Sequence, residues 1–141
     1  PFDGQEYPTR FDGRYNATAL AGKEFKGGRD KKNGFGLNGK FILAGGNRYT
    51  PIDLEKSIEK GEQVDREDMP FAAKAGDYWR VDFGISYKIN KRKLTHTILL
   101  DIQNVTNRQN IFSQYYDNET KQIETYTQTG FFPVFNYRVE F

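Results

Sequence analysis

The stretch Tyr78–Asn90, YWRVDFGISYKIN, decides how the rest of the chain is read. Trp79, Val81, Phe83, Ile85, Tyr87 and Ile89 alternate with Arg80, Asp82, Gly84, Ser86, Lys88 and Asn90. Successive side chains of a strand point to opposite faces, so this period of two predicts one greasy face and one wet face. The expected strand covers about residues 77–90.

The same pattern recurs on both sides. Over about 10–26, Phe11, Gly13, Tyr15, Ala17, Ala19, Ala21 and Phe25 share one face, which carries no charge until Lys23. Over about 34–46, Phe35, Leu37, Gly39, Phe41 and Leu43 face away from Asn38 and Lys40. Over about 94–107, Ile98, Leu100 and Ile102 oppose Thr97, Asp101 and Gln103, with Leu99 and Val105 on the polar side. In FFPVFNYRVEF, about 131–141, Phe131, Pro133, Phe135, Tyr137, Val139 and Phe141 alternate with Asn136, Arg138 and Glu140 toward the end.

Five strands are therefore expected, joined by connections that run short, long, short, long. The short ones are the Gly- and Asn-rich GGRDKKN and the basic KRK. The long ones span about 47–76 and 108–130. Within the first, PIDLEKSIEKG predicts a short helix capped by Asp53, with Leu54 and Ile58 on one face and Gly61 ending it. Short turns at one end and long loops at the other are the plan of a transmembrane β-barrel. Each segment has room for the roughly nine to eleven residues a tilted membrane strand needs. Trp79 and Tyr87, near opposite ends of one apolar face, suit two interfacial aromatic girdles. The fold expected is all-β, an antiparallel transmembrane barrel segment. A soluble sandwich or lipocalin-like barrel would use the same alternation with its apolar face turned inward.

The composition agrees with a half-wet sheet. Only 36% of the 141 residues are hydrophobic, yet twelve Phe and nine Tyr are too many for a disordered chain. The net charge of +2 gives no electrostatic reason to expect nucleic acid. No cysteine is present, which excludes disulfides and thiolate chemistry. The opening PFDGQEYPTR reads as the inside of a loop and predicts a C-terminal piece of something longer.

Four stretches, AGGNRYTPIDLEKSIEKG, YWRVDFGISYKIN, LDIQNVTNRQNIFSQYYD and GFFPVFNYRVEF, occur in this order. Together they make the chain, from Arg10 onward, similar to the C-terminal end of TonB-dependent outer-membrane receptors, in the branch with a carboxypeptidase-regulatory-like domain. That resemblance implies the last five strands of a 22-stranded barrel around a plug, in the cell outer membrane of a Gram-negative bacterium. It implies periplasmic short turns, extracellular long loops and uptake of a scarce ligand driven through TonB, which would contact the absent N-terminal part. The partners implied are outer-membrane lipid, the remainder of the barrel and its plug, a surface lipoprotein lid, and the β-barrel assembly machinery. That machinery would read Phe135, Tyr137, Val139 and Phe141 as an assembly signal.

No residue set points to catalysis, a metal or a cofactor. His96 is the sole histidine, so neither a transition-metal cluster nor a serine triad has its parts, and it reads as an interfacial residue. DREDM and DNET lack calcium-loop spacing, and GFGLNG lacks the helix a phosphate loop needs. The sequons at Asn16, Asn104 and Asn118 read as coincidence in a chain rich in Asn and Thr, the first two falling on expected strands. Asp12, Arg14, Glu24, Lys40, Arg80, Asp82, Lys88, Asp101, Arg138 and Glu140 are expected on the wet face, pairing across adjacent strands or gripping a plug. Ligand or lid contacts are expected from the loop aromatics Tyr49, Phe71, Tyr115, Tyr116 and Tyr126. Two rival functions remain open: a barrel fragment held as client or ligand of the assembly machinery through its C-terminal strand, and a soluble ligand-binding β domain.

Overall fold

The computed structural model describes residues 8–28 and 32–141. The described residues are all-β apart from one short helix, and the chain divides into two compact units. The sheet unit holds Ala17–Leu43, Trp79–Arg108 and Thr129–Phe141. The loop unit holds the described residues up to Asn16, with Ala44–Tyr78 and Gln109–Gln128.

Five strands, β1 (Asn16–Gly27), β2 (Asn33–Ala44), β5 (Tyr78–Asn90), β6 (Thr95–Gln103) and β9 (Phe132–Glu140), form one sheet in the order β1-β2-β5-β6-β9. Its sequential neighbours are hydrogen-bonded, and β1 and β9 lie at its two edges, so the sheet is open rather than closed on itself. β5, β6 and β9 run antiparallel in an unbroken register. The KRK turn between β5 and β6 is closed by the Lys91 N–H donating to the Leu94 carbonyl at 2.8 Å.

Two strands are shorter than their hydrophobic pattern predicts. The alternation from Phe11 to Tyr15 is not strand: Asp12 N–H donates to the Thr9 carbonyl, Gly13 N–H to that of Phe11, and Arg14 has φ +69°. A left-handed residue cannot continue a pleat, so β1 starts only at Asn16. At the same end of the sheet β6 stops at Gln103, because Asn104 and Asn107 have φ +52° and +51°. Asparagine tolerates this region through local side-chain hydrogen bonds. The Asn104 sequon is therefore in a turn, not on a strand.

The connections expected as loops carry structure of their own. In 47–76, β3 (Arg48–Tyr49) pairs antiparallel with β4 (Ala73–Lys74), and α1 (Leu54–Lys60) lies between them in the chain. The Asp53 side chain accepts from the Lys56 N–H, and Gly61 ends the helix at φ +72° with its N–H on the Ser57 carbonyl, as the capping residues predict. In 108–130, β7 (Ile111–Asp117) and β8 (Gln122–Thr127) form a second antiparallel ribbon.

The core is the unexpected part. Among the described residues only Tyr116 is a buried hydrophobic, while Ser57, Asp82, Asn104 and Asn110 are buried polar groups. No helix among them is long and apolar enough to cross a membrane, which leaves strand crossing untouched.

Candidate functional site

The register of the sheet unit collects its apolar positions into rows. Phe83 lies opposite Ile102, which lies opposite Pro133; the next rows are Ile85–Leu100–Phe135, Tyr87–Ile98–Tyr137 and Ile89–His96–Val139. Because every row takes odd positions of β5 and β9 and even positions of β6, one face of the three strands is apolar except at His96. Phe25 and Phe35, with ring centroids 6.3 Å apart, are the corresponding contact between β1 and β2. The described residues leave this face uncovered: Phe135 is 68% exposed, and Phe83, Ile98 and Leu100 are exposed too.

A band of polar-edged rings closes one end of the face. The Tyr137 hydroxyl and His96 Nδ1 share a hydrogen bond of 2.8 Å, their rings stacked at 6.1 Å, with Tyr87 in Tyr137's row. Toward the other end of β5, the Arg108 guanidinium lies 4.7 Å from the centroid of the Trp79 ring, a cation–π contact. Trp79 and Tyr87 thus stand near opposite ends of β5, each beside a group with a polar head.

The opposite face reads Gly84–Asp101–Val134, Ser86–Leu99–Asn136, Lys88–Thr97–Arg138 and Asn90–Thr95–Glu140. Charges here pair along one strand, not across strands as expected. Arg80 meets Asp82 at 2.8 Å and Arg138 lies 3.8 Å from Glu140, each two residues apart and on the same face. Gly84 leaves room for Asn38, whose side-chain atoms would stand 2.5–2.8 Å from any Cβ there.

Asn104, 1% exposed, ties the end of this sheet together. Its N–H donates to Asp82 Oδ1 at 2.9 Å, and its Nδ2 donates to the carbonyls of Arg108 at 2.9 Å and Thr129 at 3.3 Å. Its Oδ1 accepts from the Arg108 N–H at 3.0 Å and the Thr106 hydroxyl at 3.3 Å. Asn107 Oδ1 accepts from the Phe131 N–H at 2.9 Å, leading the chain into β9. As sequence, QNVTN carries no signal of this role beyond its two asparagines.

The loop unit contains a cleft of about 290 Å³. Consecutive residues form its walls: Asn47, Arg48, Tyr49 and Thr50 around β3, and Ile111, Phe112, Ser113 and Gln114 of β7, with Arg10 and Phe71 also at the cleft. Arg48 is held by Asp12 at 2.9 Å. Of the five loop aromatics expected to meet a ligand, Tyr49 and Phe71 line the cleft. Tyr115 and Tyr126 instead stack on each other at 4.2 Å across the β7–β8 ribbon, and the Tyr115 hydroxyl has its pKa raised by partial desolvation and nearby negative charge. Tyr116 is 7% exposed and packed inside the unit, which removes it from a contact surface. Of the expected assembly-signal residues, Phe135, Tyr137 and Val139 lie on the apolar face of β9, and Phe141 is fully exposed beyond it.

Among the described residues, no group of three or more His, Cys, Asp or Glu side chains is placed to hold a metal ion. No protein-family model, curated protein or solved structure matches the chain.

Proposed function

We propose that the chain is a barrel segment of a TonB-dependent outer-membrane receptor, a non-enzymatic importer of a scarce ligand. The observation that carries this reading is the uncovered apolar face of β5, β6 and β9. A soluble sandwich must bury such a face against a second layer. Here the buried groups are polar, and the large apolar side chains point outward, as they do toward lipid. The Tyr87, His96 and Tyr137 band then marks one membrane interface and Trp79 with Arg108 the other.

Five strands are too few to close a membrane barrel, which takes at least about eight. An open edge in hydrocarbon leaves backbone groups unsatisfied, so β1 and β9 require further strands from the rest of the same barrel. The free edge of β9 also favours a second reading, in which the assembly machinery engages this strand by edge addition. The two are compatible as successive stages. The test is fractionation of cells producing the full-length protein. Retention in the outer-membrane fraction after alkaline carbonate extraction supports the reading; release into the soluble fraction refutes it.

A further inference from the structure

The cleft of the loop unit is lined by the turn that carries Phe71 and by β7, and both carry backbone irregularities that aim aromatic rings. Phe71 has φ +54°, costly for a bulky side chain, and is held there by its N–H donating to the Thr50 hydroxyl at 3.1 Å. On the other wall, Ile111 pairs with Thr127 and Ser113 with Tyr126, leaving Phe112 as the extra residue of a bulge, 58% exposed. Bulges re-aim side chains and cluster near binding sites. Both distortions place a ring at the same cleft.

β7 pairs only with β8 among the described strands, so its second edge is open. The Tyr116 N–H points away from β8, since it donates to the Gln63 Oε1 at 3.3 Å. Ladder bonds alternate along an antiparallel strand, so the main-chain groups of Gln114, two residues earlier, point the same way. Gln114 and Gln63 both line the cleft. A side-chain amide thus completes one rung, and the next rung faces the cleft. At the rim stands Arg10, exposed and without a carboxylate partner among the described residues.

We infer that this cleft binds a short extended peptide as an added strand on the open edge of β7, its side chains against Phe71 and Phe112 and its terminal carboxylate on Arg10. Strand addition derives affinity from main-chain hydrogen bonds and specificity from alternate pockets. At about 290 Å³ the cleft is at the lower end of pockets for drug-sized ligands (~300 Å³), which suits roughly two or three residues. This deepens the importer reading and rests on it only for the uptake step, whereas binding is measured apart from uptake.

The experiment is calorimetric titration of the full-length protein in detergent with three probes: the tripeptide Ala-Phe-Ala, its C-terminal amide, and Ala-Phe-Ala N-methylated at the central residue. A disaccharide, maltose, serves as the competing chemistry. The free acid is expected to bind at least about tenfold tighter than either the amide or the N-methyl form, each loss corresponding to one charge-assisted or main-chain bond. Arg10→Gln should erase the difference between acid and amide while leaving the N-methyl penalty. Because the probe series is read on the unaltered protein, a variant that misfolds leaves the test intact. Equal binding of all three peptides, preference for maltose, or no binding overturns the peptide site. Peptide binding by a protein that fractionates as soluble overturns the importer reading alone.

Discussion

Leu99 and Leu100 are neighbours near the middle of β6 on opposite faces, which makes an arginine scan of the pair decisive. Leu100 lies between Ile85 and Phe135 in the apolar rows and is exposed; Leu99 lies between Ser86 and Asn136 on the wet face. If the apolar face meets lipid, Leu100→Arg puts a guanidinium near the bilayer midplane, a cost of about 2–4 kcal/mol in a barrel. That lowers the folding equilibrium constant by roughly 30- to 1,000-fold. Leu99→Arg joins a face already holding Lys88, Asp101 and Arg138, where water or a carboxylate receives it, and its cost should stay below about 1 kcal/mol. The assay is reversible denaturant unfolding of the full-length protein in lipid vesicles, comparing midpoints at matched slopes. Equal costs, or a larger cost at Leu99, would refute the assignment of faces.

Two further outcomes are expected from the side-chain network. Asn104→Ala strands the Arg108 N–H and the Arg108 and Thr129 carbonyls and leaves alanine at positive φ, so it should cost about 2–4 kcal/mol in unfolding experiments. Asp53 has its carboxyl pKa lowered, first by the Lys56 N–H and then by that residue's side chain, with Nζ 3.1 Å away. A carboxyl whose folded pKa is depressed stabilises the fold above the ordinary aspartate range and loses this as pH falls through the folded value. Amide protection factors across Leu54–Lys60, taken against the intrinsic exchange rate at each pH, should fall only below about pH 4, and Asp53→Asn should flatten that dependence.

Much of the sheet was legible because it obeys one rule. The period of two in Trp79–Ile89 and Phe131–Val139 reports which face a side chain takes, and the pairing register then aligns those faces into rows. The capped helix was legible for a similar reason: Asp53 and Gly61 act within one turn of their own position. What alternation cannot show is backbone torsion. Phe11, Gly13 and Tyr15 alternate as well as any strand, yet the left-handed Arg14 breaks the pleat.

The loop unit was hidden for a different reason. β3 and β4 are two residues each and pair Tyr49 with Ala73, too short and too far apart in the chain for any periodic signal. The cleft is made by a bulge at Phe112 and a strained Phe71, which depend on partners distant in the chain. Loop aromatics signalled a surface rich in rings, but not that Tyr116 turns inward while Tyr115 and Tyr126 satisfy each other. Likewise, Asn104 looked like one polar residue among many until its neighbours in space supplied five hydrogen bonds.

Whether one face of β5, β6 and β9 meets lipid can be measured residue by residue. A bimane-labelled cysteine is placed at each residue from Thr97 to Ile102 in turn, in the full-length protein reconstituted with lipids bearing a nitroxide on the acyl chain. Quenching should be strong at Ile98, Leu100 and Ile102 and weak at Thr97, Leu99 and Asp101, with iodide in the aqueous phase giving the inverse pattern. Uniform insensitivity to the lipid nitroxide at Ile98, Leu100 and Ile102 would contradict a lipid-facing sheet.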